Sequence, residues 1–568
     1  MAPQTSRRRQ GYLPLESYAA LGDGRSIALS GADGSIDWWC VPRLDGERVL
    51  DRLLDAADGG RFEVRPVGPF SVDRGYLPDS NVLATEVTTP GGRARLVEGM
   101  AMEPGGARGP SQILRRVVGL EGTVRFRVAF RPGRSSSVSC ELRASPEIPL
   151  RRRRDDLLEG RFLLADGQEQ AFSLAVASEA PAGPPPGRRL DQADAAWRGW
   201  ARGLTIEGPH AALVRRHALA LKLLCAPGGA IPAAGTTSLP EIMGGERNWD
   251  FRYVWVRDAA YTIEALVQVG AVEDSARAFA WLIERIAEHG PRVVFDLDGA
   301  VAPTDEELDV PGYRNSRPAH VGNLATGQRQ HGVFGDMLQA AVRLVDAGRP
   351  LDAGAARVLG ALADECARCW DRPDAGLWEL SEMRRYANSR LSCWQALACA
   401  VDLADRGILA EPGRAAWTVE RDRIAAWIEQ RCWSEARQAY VAWPGSEAID
   451  ASLALVVRLG FGARPRQEAT IRAIDEALRS GLFHHRLSGV QDSEGCFLAC
   501  SFWIIEAKAR LGRREEAAAD FEALVVALGG VGVLPEMAEA GTGRWLGNMP
   551  QGLTHLALIQ AAAALTQG

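Results

Sequence analysis

The segment Ala180-Pro-Ala-Gly-Pro-Pro-Pro-Gly187 divides the chain into two parts with different hydrophobic patterns. Proline and glycine at this density interrupt both helices and strands, so the segment predicts a linker between domains. The length of 568 residues suggests about two to four domains. We therefore expect an N-terminal domain over 11–187, a helical linker over 188–206 and a C-terminal domain over 207–568.

On the N-terminal side of this segment, short runs rich in Val, Phe and Leu alternate with Gly, Pro and Asp turns. This spacing is typical of an antiparallel β-sandwich. The strands are expected at Ser26–Leu29, Ile36–Val41, Arg61–Val64, Val82–Thr88, Ala94–Glu98, Ile113–Val118 and Val124–Phe130.

On the C-terminal side, apolar residues recur with the period of a helix. Twelve helices are predicted, over 208–225, 255–270, 274–289, 328–347, 352–369, 389–406, 414–434, 449–459, 464–480, 494–511, 513–528 and 550–566. Long connections follow the odd-numbered members of this series, whereas the even-numbered members are followed by short ones. The long connections span 226–254, 290–327, 370–388, 435–448, 481–493 and 529–549.

This alternation of connection lengths predicts the arrangement of the helices. Short connections make neighbouring helices antiparallel, so every long connection emerges at the same end. Six such hairpins predict a closed (α/α)6 barrel. An open helical solenoid is the alternative, although no repeat of fixed period supports it. Functional residues are expected on the face with long connections, because loops on a rigid scaffold commonly carry the chemistry.

Composition narrows the function. The net charge of −6 and the pI of about 5.9 exclude a basic surface for nucleic acid. No apolar run reaches the roughly 18 residues of a membrane helix, and none follows Arg7–Arg9 as in a secretory signal. We therefore expect a cytoplasmic protein without membrane attachment. Cys366 and Cys369 form a single C-x-x-C inside a predicted helix, which falls short of the four ligands of a zinc site, so no metal is expected. No other cofactor is expected either.

The first long connection and the start of the next helix concentrate aromatic rings and charge. Alternate positions hold aromatic residues, namely Trp249, Phe251, Tyr253 and Trp255. The adjacent Arg257 and Asp258 offer a donor fork and an acceptor, which suits two neighbouring sugar hydroxyls. The alternative is that Asp258 caps the helix and pairs with Arg257. The sixteen tryptophans of the chain favour a carbohydrate ligand only weakly.

Two further long connections each present a glutamate after apolar residues. Glu379 follows Leu377 and Trp378, and Glu536 follows the segment Val533–Pro535. An apolar wall disfavours an ionised carboxylate and suits a general acid. Hydrolysis of a glycosidic bond needs two carboxyl groups, one to protonate the leaving oxygen and one to activate water. Three other glutamates are rival candidates by composition, namely Glu382, Glu494 and Glu539.

Seven stretches in a fixed order resemble glycoside hydrolase family 15, which contains glucoamylases, glucodextranases and bacterial trehalases. They are Gly34–Asp45, Thr236–Pro240, Arg247–Asp258, Gly312–Pro318, Gly376–Glu379, Glu494–Trp503 and Leu546–Gln551. The resemblance spans most of the chain. It implies an N-terminal β-sandwich, a helical linker and a catalytic (α/α)6 barrel.

The resemblance also implies roles for individual residues. Glu379 matches the family's general acid and Glu536 its general base. Arg257 and Asp258 match the pair that holds the non-reducing glucosyl unit. The other residues implied to bind the sugar are Trp249, Trp255, Tyr313, Arg314 and Trp378. The family works by inversion without a metal and releases β-glucose from α-glucosides.

These implications predict an inverting, exo-acting α-glucosidase that cleaves trehalose or short α-linked gluco-oligosaccharides. The chain departs from the family pattern at Phe251, Gly332 and Met537, where the pattern has a tyrosine, an aspartate and a second glutamate. These departures motivate an alternative, a sugar-binding or regulatory protein with weak turnover. An inverting disaccharide phosphorylase is a third hypothesis. The sequence makes no prediction of the oligomeric state.

Overall fold

The fold was analysed in a computed structural model, which describes residues 7–102, 111–179 and 184–566. Strands occupy the N-terminal part of the described chain. They are β1 (Tyr18–Gly22), β2 (Ile27–Gly31), β3 (Ser35–Val41), β4 (Glu47–Leu50), β5 (Arg61–Pro66), β6 (Ser71–Tyr76), β7 (Leu83–Thr89), β8 (Gly92–Met100), β9 (Gln112–Arg131), β10 (Cys140–Ser145), β11 (Arg151–Arg152), β12 (Leu158–Ala165) and β13 (Glu169–Val176).

The long strand β9 belongs to both layers of an antiparallel β-sandwich. Its first part pairs with β8 and β13, in the order β6-β7-β8-β9-β13-β10. Its second part pairs with β5 and β12, in the order β1-β2-β3-β5-β9-β12-β11, while β4 pairs with β3. An apolar core that includes Trp39, Phe62, Leu83, Phe126 and Phe172 lies within the sandwich.

The prediction of two separate strands over 113–130 was wrong, since β9 is continuous. The segment Gly119-Leu-Glu-Gly122 resembles a turn in sequence, but it remains extended. A Cβ at Gly119 would lie 2.0 Å from the carbonyl oxygen of Ala165, so the glycine permits close strand approach. Other strands were not predicted, because hydrogen bonds to neighbouring strands make them extended although their own sequences are not strand-like. The polar β6 is an example.

Helices follow in the C-terminal part of the described chain. They are α1 (Pro186–Arg202), α2 (Ala211–Leu223), α3 (Val256–Gln268), α4 (Val272–His289), α5 (Gly332–Asp346), α6 (Ala353–Cys369), α7 (Ala387–Asp405), α8 (Arg414–Arg431), α9 (Leu455–Arg458), α10 (Arg464–Leu478), α11 (Leu498–Arg510), α12 (Arg514–Leu528) and α13 (Gly552–Thr566). The helix predicted over 449–459 is shorter, since Ala451–Ala454 forms a 3-10 turn before α9. The other eleven predicted helices are found.

The odd-numbered helices α3 to α13 form a closed inner ring. Neighbouring helices contact each other around the ring, except that α7 contacts the 3-10 turn Ala451–Ala454 that leads directly into α9, and α13 returns to α3. The even-numbered helices α2 to α12 lie outside this ring. Helix α13 is buried on nearly all sides, because an inner helix faces both the axis and the outer layer. The closed ring agrees with the predicted barrel and excludes the open solenoid.

All six long connections precede inner helices and therefore share one end of the barrel. Short strands brace them: β14 (Val254–Trp255), β15 (Val294–Phe295), β16 (Glu306–Leu308), β17 (Ala319–Val321), β18 (Trp433–Ser434), β19 (Ala439–Tyr440), β20 (Arg479–Ser480), β21 (Phe483–His484), β22 (Cys496–Phe497), β23 (Met537–Ala538) and β24 (Trp545–Leu546). This end of the barrel is therefore ordered by backbone pairing as well as by side chains.

The sandwich packs against the barrel through a shared apolar cluster that includes Leu29, Trp38, Trp197 and Leu221. The Trp38 indole donates to the carbonyl oxygen of Gly235, at 2.9 Å, in the first long connection. The predicted break at 180–187 partly lies outside the described residues, since 180–183 are among those omitted. The predicted boundaries at residues 187 and 206 stay predictions. No helix in the described part is long and apolar enough to cross a membrane.

Candidate active site

A cavity of about 480 Å³ opens at the end of the barrel that carries the long connections. This volume lies within the roughly 300–1,000 Å³ of small-molecule sites. Five of the six long connections contribute to its lining. The predicted site residues that line it are Trp249, Trp255, Arg257, Asp258, Trp378, Glu379 and Glu536.

Arg257 and Asp258 stand in the first turn of α3. Asp258 does not cap this helix, because Trp255 occupies the N-cap position. The Arg257 Nε donates to Asp258 Oδ2 at 3.1 Å, so the pairing part of that alternative is correct. Asp258 is buried, and its burial raises the pKa of the carboxyl group, while the Arg257 charge opposes the rise.

Arg257 also links α3 to the connection that carries Glu379. Its Nη1 donates to the carbonyl oxygen of Leu377 at 2.8 Å, and its Nη2 lies 3.4 Å from Glu379 Oε1. The Trp255 indole donates to the same carboxylate oxygen at 2.7 Å. The second oxygen, Oε2, has no hydrogen-bond partner in the described part of the chain. The apolar wall expected around Glu379 is therefore replaced on one side by polar donors.

The backbone of Glu379 adopts a left-handed conformation, with φ of +60°. Such a conformation costs a residue other than glycine about 1–3 kcal/mol, and it is enriched at functional sites. It follows Gly376, whose own φ is +70° and whose missing Cβ would meet the ring of Tyr386 at 2.7 Å. The tight turn that results directs the Glu379 side chain toward the cavity.

Glu536 is almost fully buried, with 2% of its surface exposed. The backbone N–H of Asn548 donates to Glu536 Oε2 at 3.3 Å. Burial, together with the nearby carboxylate of Glu241, raises the pKa of Glu536 well above its ordinary value. The positive charge of Arg486 opposes this rise. The ionised form of Glu536 is therefore disfavoured, as expected from the apolar residues that precede it.

Asn548 holds three parts of the site together. Besides its contact with Glu536, its Nδ2 donates to the carbonyl oxygen of Trp249 at 2.9 Å. Its Oδ1 accepts a hydrogen bond from Thr236 Oγ1 at 2.9 Å. The Trp249 ring in turn stacks on His320, with ring centres 5.4 Å apart. The first, second and sixth long connections are thereby fixed relative to one another.

A buried cluster of charges, which the sequence did not indicate as a unit, forms the wall beside Glu536. Arg486 donates to both oxygens of Glu494, at 2.7 and 2.6 Å. Arg247 pairs with Glu241 at 2.7 Å and with Glu494 at 3.3 Å. Glu241, Arg247 and Arg486 line the cavity. Only folding brings them together, since they come from the first and fifth long connections.

Trp378 lines the cavity beside this cluster. Its indole donates to Asp450 Oδ1 at 2.8 Å, and the Arg486 guanidinium lies 5.5 Å from its ring centre. Phe497 meets the same ring edge-on, with the ring centres 5.5 Å apart. These contacts fix the orientation of the Trp378 ring.

Two predicted sugar-binding residues, Tyr313 and Arg314, do not line the cavity. The Tyr313 ring is buried against Tyr12, and its hydroxyl donates to the carbonyl oxygen of Leu13 at 2.7 Å. The Arg314 guanidinium lies 5.3 Å from the Tyr313 ring centre. In the structure this stretch contacts the N-terminal segment and not the cavity, and its role in sugar binding stays a prediction.

The rival glutamates do not line the cavity either. Glu382 is mostly exposed and pairs with Arg384, and Glu539 pairs with Arg544. Glu494 is buried, and both of its carboxylate oxygens accept hydrogen bonds from Arg486. Among residues 7–102, 111–179 and 184–566, no group of three or more His, Cys, Asp or Glu side chains is arranged to hold a metal ion.

A model of the glycosyl hydrolases family 15 matches residues 208–563, well over half of the chain. The chain belongs to glycoside hydrolase family 15. It is therefore a glycoside hydrolase, as the motifs around Arg257, Glu379 and Asn548 predicted. A second model, for the trehalase-like N-terminal region, matches residues 9–143 of this family 15 enzyme.

Curated relatives match the family 15 chain over nearly its whole length. A trehalase of Thermoplasma acidophilum is 30% identical, covering 95% of this chain and 98% of its own. A trehalase of Mycobacterium tuberculosis is 32% identical, covering 98% of this chain and 90% of its own.

Among solved structures, a bacterial glucoamylase complexed with acarbose has a TM-score of 0.72 to the family 15 enzyme. It is 13% identical and covers 97% of this chain and 94% of its own. Similarity at this level of identity concerns the fold alone. It confirms the predicted β-sandwich followed by an (α/α)6 barrel.

Proposed function

We propose that this family 15 enzyme is an inverting, exo-acting α-glucosidase, with trehalose or a short α-linked gluco-oligosaccharide as its substrate. One observation carries the proposal: Glu379 and Glu536 line the same cavity from the third and sixth long connections. In a closed ring of six hairpins, the third and sixth connections stand opposite each other. Two carboxyl groups on opposite sides of a sugar suit single-displacement hydrolysis.

Glu379 would act as the general acid. Trp255 and Arg257 hold its Oε1, which leaves Oε2 to carry the proton. In the reaction, Oε2 gives this proton to the glycosidic oxygen while the bond from that oxygen to C1 breaks. The leaving sugar departs with a hydroxyl group, and Glu379 becomes a carboxylate.

Glu536 would act as the general base from the other side. Asn548 holds its Oε2, and Oε1 has no hydrogen-bond partner within the described residues, so it is available to a water molecule. The water oxygen attacks C1 as Glu536 takes one of its protons, and the configuration at C1 inverts. A raised pKa suits this task, because a general base is most effective when its pKa approaches the working pH.

Arg257 and Asp258 would hold the terminal glucosyl unit. Asp258 Oδ1 accepts no hydrogen bond from another residue of the described chain, and the guanidinium of Arg257 lies beside it. Their adjacency offers an acceptor and a donor to neighbouring hydroxyls. Trp255, Trp378 and Phe251 line the same cavity and supply apolar contact for the sugar ring.

Trehalose is the first substrate to test, since relatives named trehalase cover nearly the full length of the chain. The expected products identify the mechanism. Inversion of trehalose yields one β-glucose from the attacked ring and one α-glucose from the leaving ring, whereas retention yields two α-glucoses. Proton NMR of the first turnovers in phosphate-free buffer distinguishes the two. Two α-glucoses would reject inversion, and a requirement for phosphate as co-substrate would indicate a phosphorylase.

The roles of the two glutamates are tested with Glu379→Gln and Glu536→Gln. Each should lower kcat by roughly 10²–10⁴-fold or more, the usual contribution of a general acid or base. Glu382→Gln and Glu539→Gln are matched controls, because each changes an ion-paired glutamate on the same connection outside the cavity. Near-normal turnover in Glu379→Gln or Glu536→Gln, with the fold intact, would remove that residue from its role.

A further inference from the structure

A second polar cavity lies at the other end of the barrel axis. It consists of two adjoining spaces of about 260 and 450 Å³ that share Glu264, Arg343 and Arg458. We call the two together the rear cavity. Glu264 follows Arg257 by seven residues on α3, which corresponds to about 10 Å along the helix axis. The rear cavity shares no lining residue with the active-site cavity, so the two are separate.

Every inner helix contributes to the rear cavity from its second half or its C-terminal end. One contributor from this part of each of the six helices is Glu264, Arg343, Asp402, Arg458, Glu506 and Gln560. Because long connections precede the inner helices, these C-terminal halves point away from the active site. A ring of six helices leaves an axial space, and here polar side chains surround this space.

Most charges of the rear cavity are already neutralised by partners. Arg458 donates to both oxygens of Glu506, which also accepts from Arg510 at 2.8 Å. Two lining carboxylates, Asp346 and Asp402, both pair with Arg406. These groups form the wall and leave little capacity for a ligand.

Three other side chains keep free hydrogen-bonding capacity, namely Arg343, Gln560 and Gln339. The Arg343 Nε lies 3.6 Å from Glu264 Oε2, and the two terminal nitrogens of the guanidinium have no hydrogen-bond partner within the described chain. Gln560 is 6% exposed, and its buried Oε1 has no partner in the described part of the protein. Buried amide oxygens in native proteins are nearly always hydrogen-bonded, so an unbonded one facing a cavity indicates a missing partner.

The chemistry of the open groups points to sugar hydroxyls. Arg343 beside Glu264 repeats the donor–acceptor arrangement of Arg257 and Asp258 at the active site. Gln339 adds an amide nitrogen without a described partner, because only its Oε1 is engaged, by Gln395 and Cys399. Trp394 lines the same space and packs edge-on against Phe461, which fixes its ring.

The charge around the rear cavity does not favour an anion. Its lining has three guanidinium groups, on Arg343, Arg458 and Arg510. It has four carboxyl groups, on Glu264, Asp346, Asp402 and Glu506. With no excess of positive charge, a phosphate or sulfate gains no net attraction. A neutral ligand with several hydroxyls meets donors and acceptors alike.

We propose that the rear cavity binds a neutral sugar of one or two rings, at a site separate from the active site. The inference does not depend on the proposed function, because no residue of the rear cavity belongs to the proposed catalytic machinery. A water-filled axial space is the competing explanation and predicts no saturable sugar binding at this end.

Equilibrium dialysis of the full chain with radiolabelled D-glucose tests the proposal. The wild type should bind one molecule of glucose more than Arg343→Gln or Trp394→Leu does. Arg357→Gln, which changes an exposed arginine on the adjacent outer helix α6, is the matched control and should bind as the wild type. Arg343 is 45% exposed, so its replacement should leave the fold intact, which circular dichroism verifies.

The difference between variants decides the result, whatever the active site binds. Equal binding by the wild type and both cavity variants would overturn the proposal, as would saturable binding of radiolabelled sulfate in place of glucose. If the active site does not bind glucose, the wild type should bind one molecule and Arg343→Gln none. That outcome would support the rear site while counting against the proposed function.

Discussion

Glu536 depends on the absence of a side chain at residue 547. Gly547 has a φ of +71°, and a Cβ there would lie 2.5 Å from Glu536 Oε2 and 2.7 Å from Glu536 Cβ. Glycine is thus required twice, for the backbone conformation and for the space that the carboxylate occupies. Position 547, which faces the proposed base, therefore restricts the residue type as strictly as position 536 does.

We predict that Gly547→Ala lowers kcat at least tenfold, because the new methyl group displaces the Glu536 carboxylate from its position against Asn548. Gly543→Ala is the control. Gly543 has a similar φ of +70°, but a Cβ there meets only Phe483 at 3.4 Å. Both variants share the backbone cost of about 1–3 kcal/mol, which thermal unfolding measures. Equal kcat in the two variants would contradict the steric explanation.

The electrostatic environment of Glu536 predicts the acid limb of the pH profile. As a base, Glu536 must be ionised, so kcat/KM should fall as the pH drops through its pKa. Burial and the Glu241 carboxylate raise that pKa, so the acid limb should lie above the ordinary glutamate value of about 4.3.

Glu241→Gln removes one of the negative charges that raise the pKa of Glu536. The acid limb of kcat/KM should therefore move to lower pH, because a like charge no longer disfavours ionisation. Glu539→Gln is the control on the connection that carries Glu536, since Glu539 pairs with Arg544 outside the cavity. An acid limb that stays in place in Glu241→Gln would show that another group sets it.

At the scale of elements, the first turn of α13 holds the connection that carries Glu536. Thr554 Oγ1 donates to the carbonyl oxygen of Pro535 at 2.9 Å. His555 Nε2 accepts from the backbone N–H of Leu534 at 3.1 Å. This contact requires an unprotonated Nε2, and burial lowers the pKa of His555 well below its ordinary value. A neutral buried histidine thereby helps to place Glu536.

We predict that Thr554→Val destabilises the fold by about 1–3 kcal/mol, since it leaves a buried carbonyl without its donor. It should also lower kcat, because Pro535 adjoins Glu536. Thr418→Val is the control: its hydroxyl also donates to a carbonyl, that of Arg414 at 2.9 Å, but on the exposed surface of α8. That change should stay within about 0.5 kcal/mol. Denaturant unfolding measures both, and similar losses would refute the argument.

At the scale of the whole molecule, the sandwich and the barrel meet beside the site. Glu16 accepts a hydrogen bond from the backbone of Trp545 at 2.7 Å. Arg252 is buried, pairs with Asp250, and donates to the carbonyl oxygen of Leu44 at 3.2 Å. The N-terminal region therefore supports two of the connections that line the cavity.

Tyr313 belongs to this interface. We predict that Tyr313→Phe lowers the free energy of unfolding by about 1–3 kcal/mol, because the carbonyl oxygen of Leu13 loses its buried donor. The KM for trehalose should stay unchanged, because Tyr313 does not line the cavity. Steady-state kinetics beside thermal unfolding tests both statements. A raised KM with unchanged stability would return Tyr313 to the sugar site.

The sequence by itself determined the order of the elements and the barrel. Helical period and connection length are local properties, and alternating long and short connections place all long ones at one end. Motifs also identified Arg257 and Asp258 as neighbours, since they are adjacent in the chain. The continuity of β9 and the existence of the polar strand β6 could not be predicted from the local sequence, because strands are stabilised by partners distant in sequence.

Only the tertiary structure decided which charges surround the site. Glu241, Arg247, Arg486 and Glu494 meet there because closing the ring brings the first and fifth connections together. It also placed Tyr313 outside the cavity lining, since the N-terminal segment packs on that stretch. Burial and the distance between charges fix the ionisation of Glu536, and both depend on the closed ring rather than on any single segment.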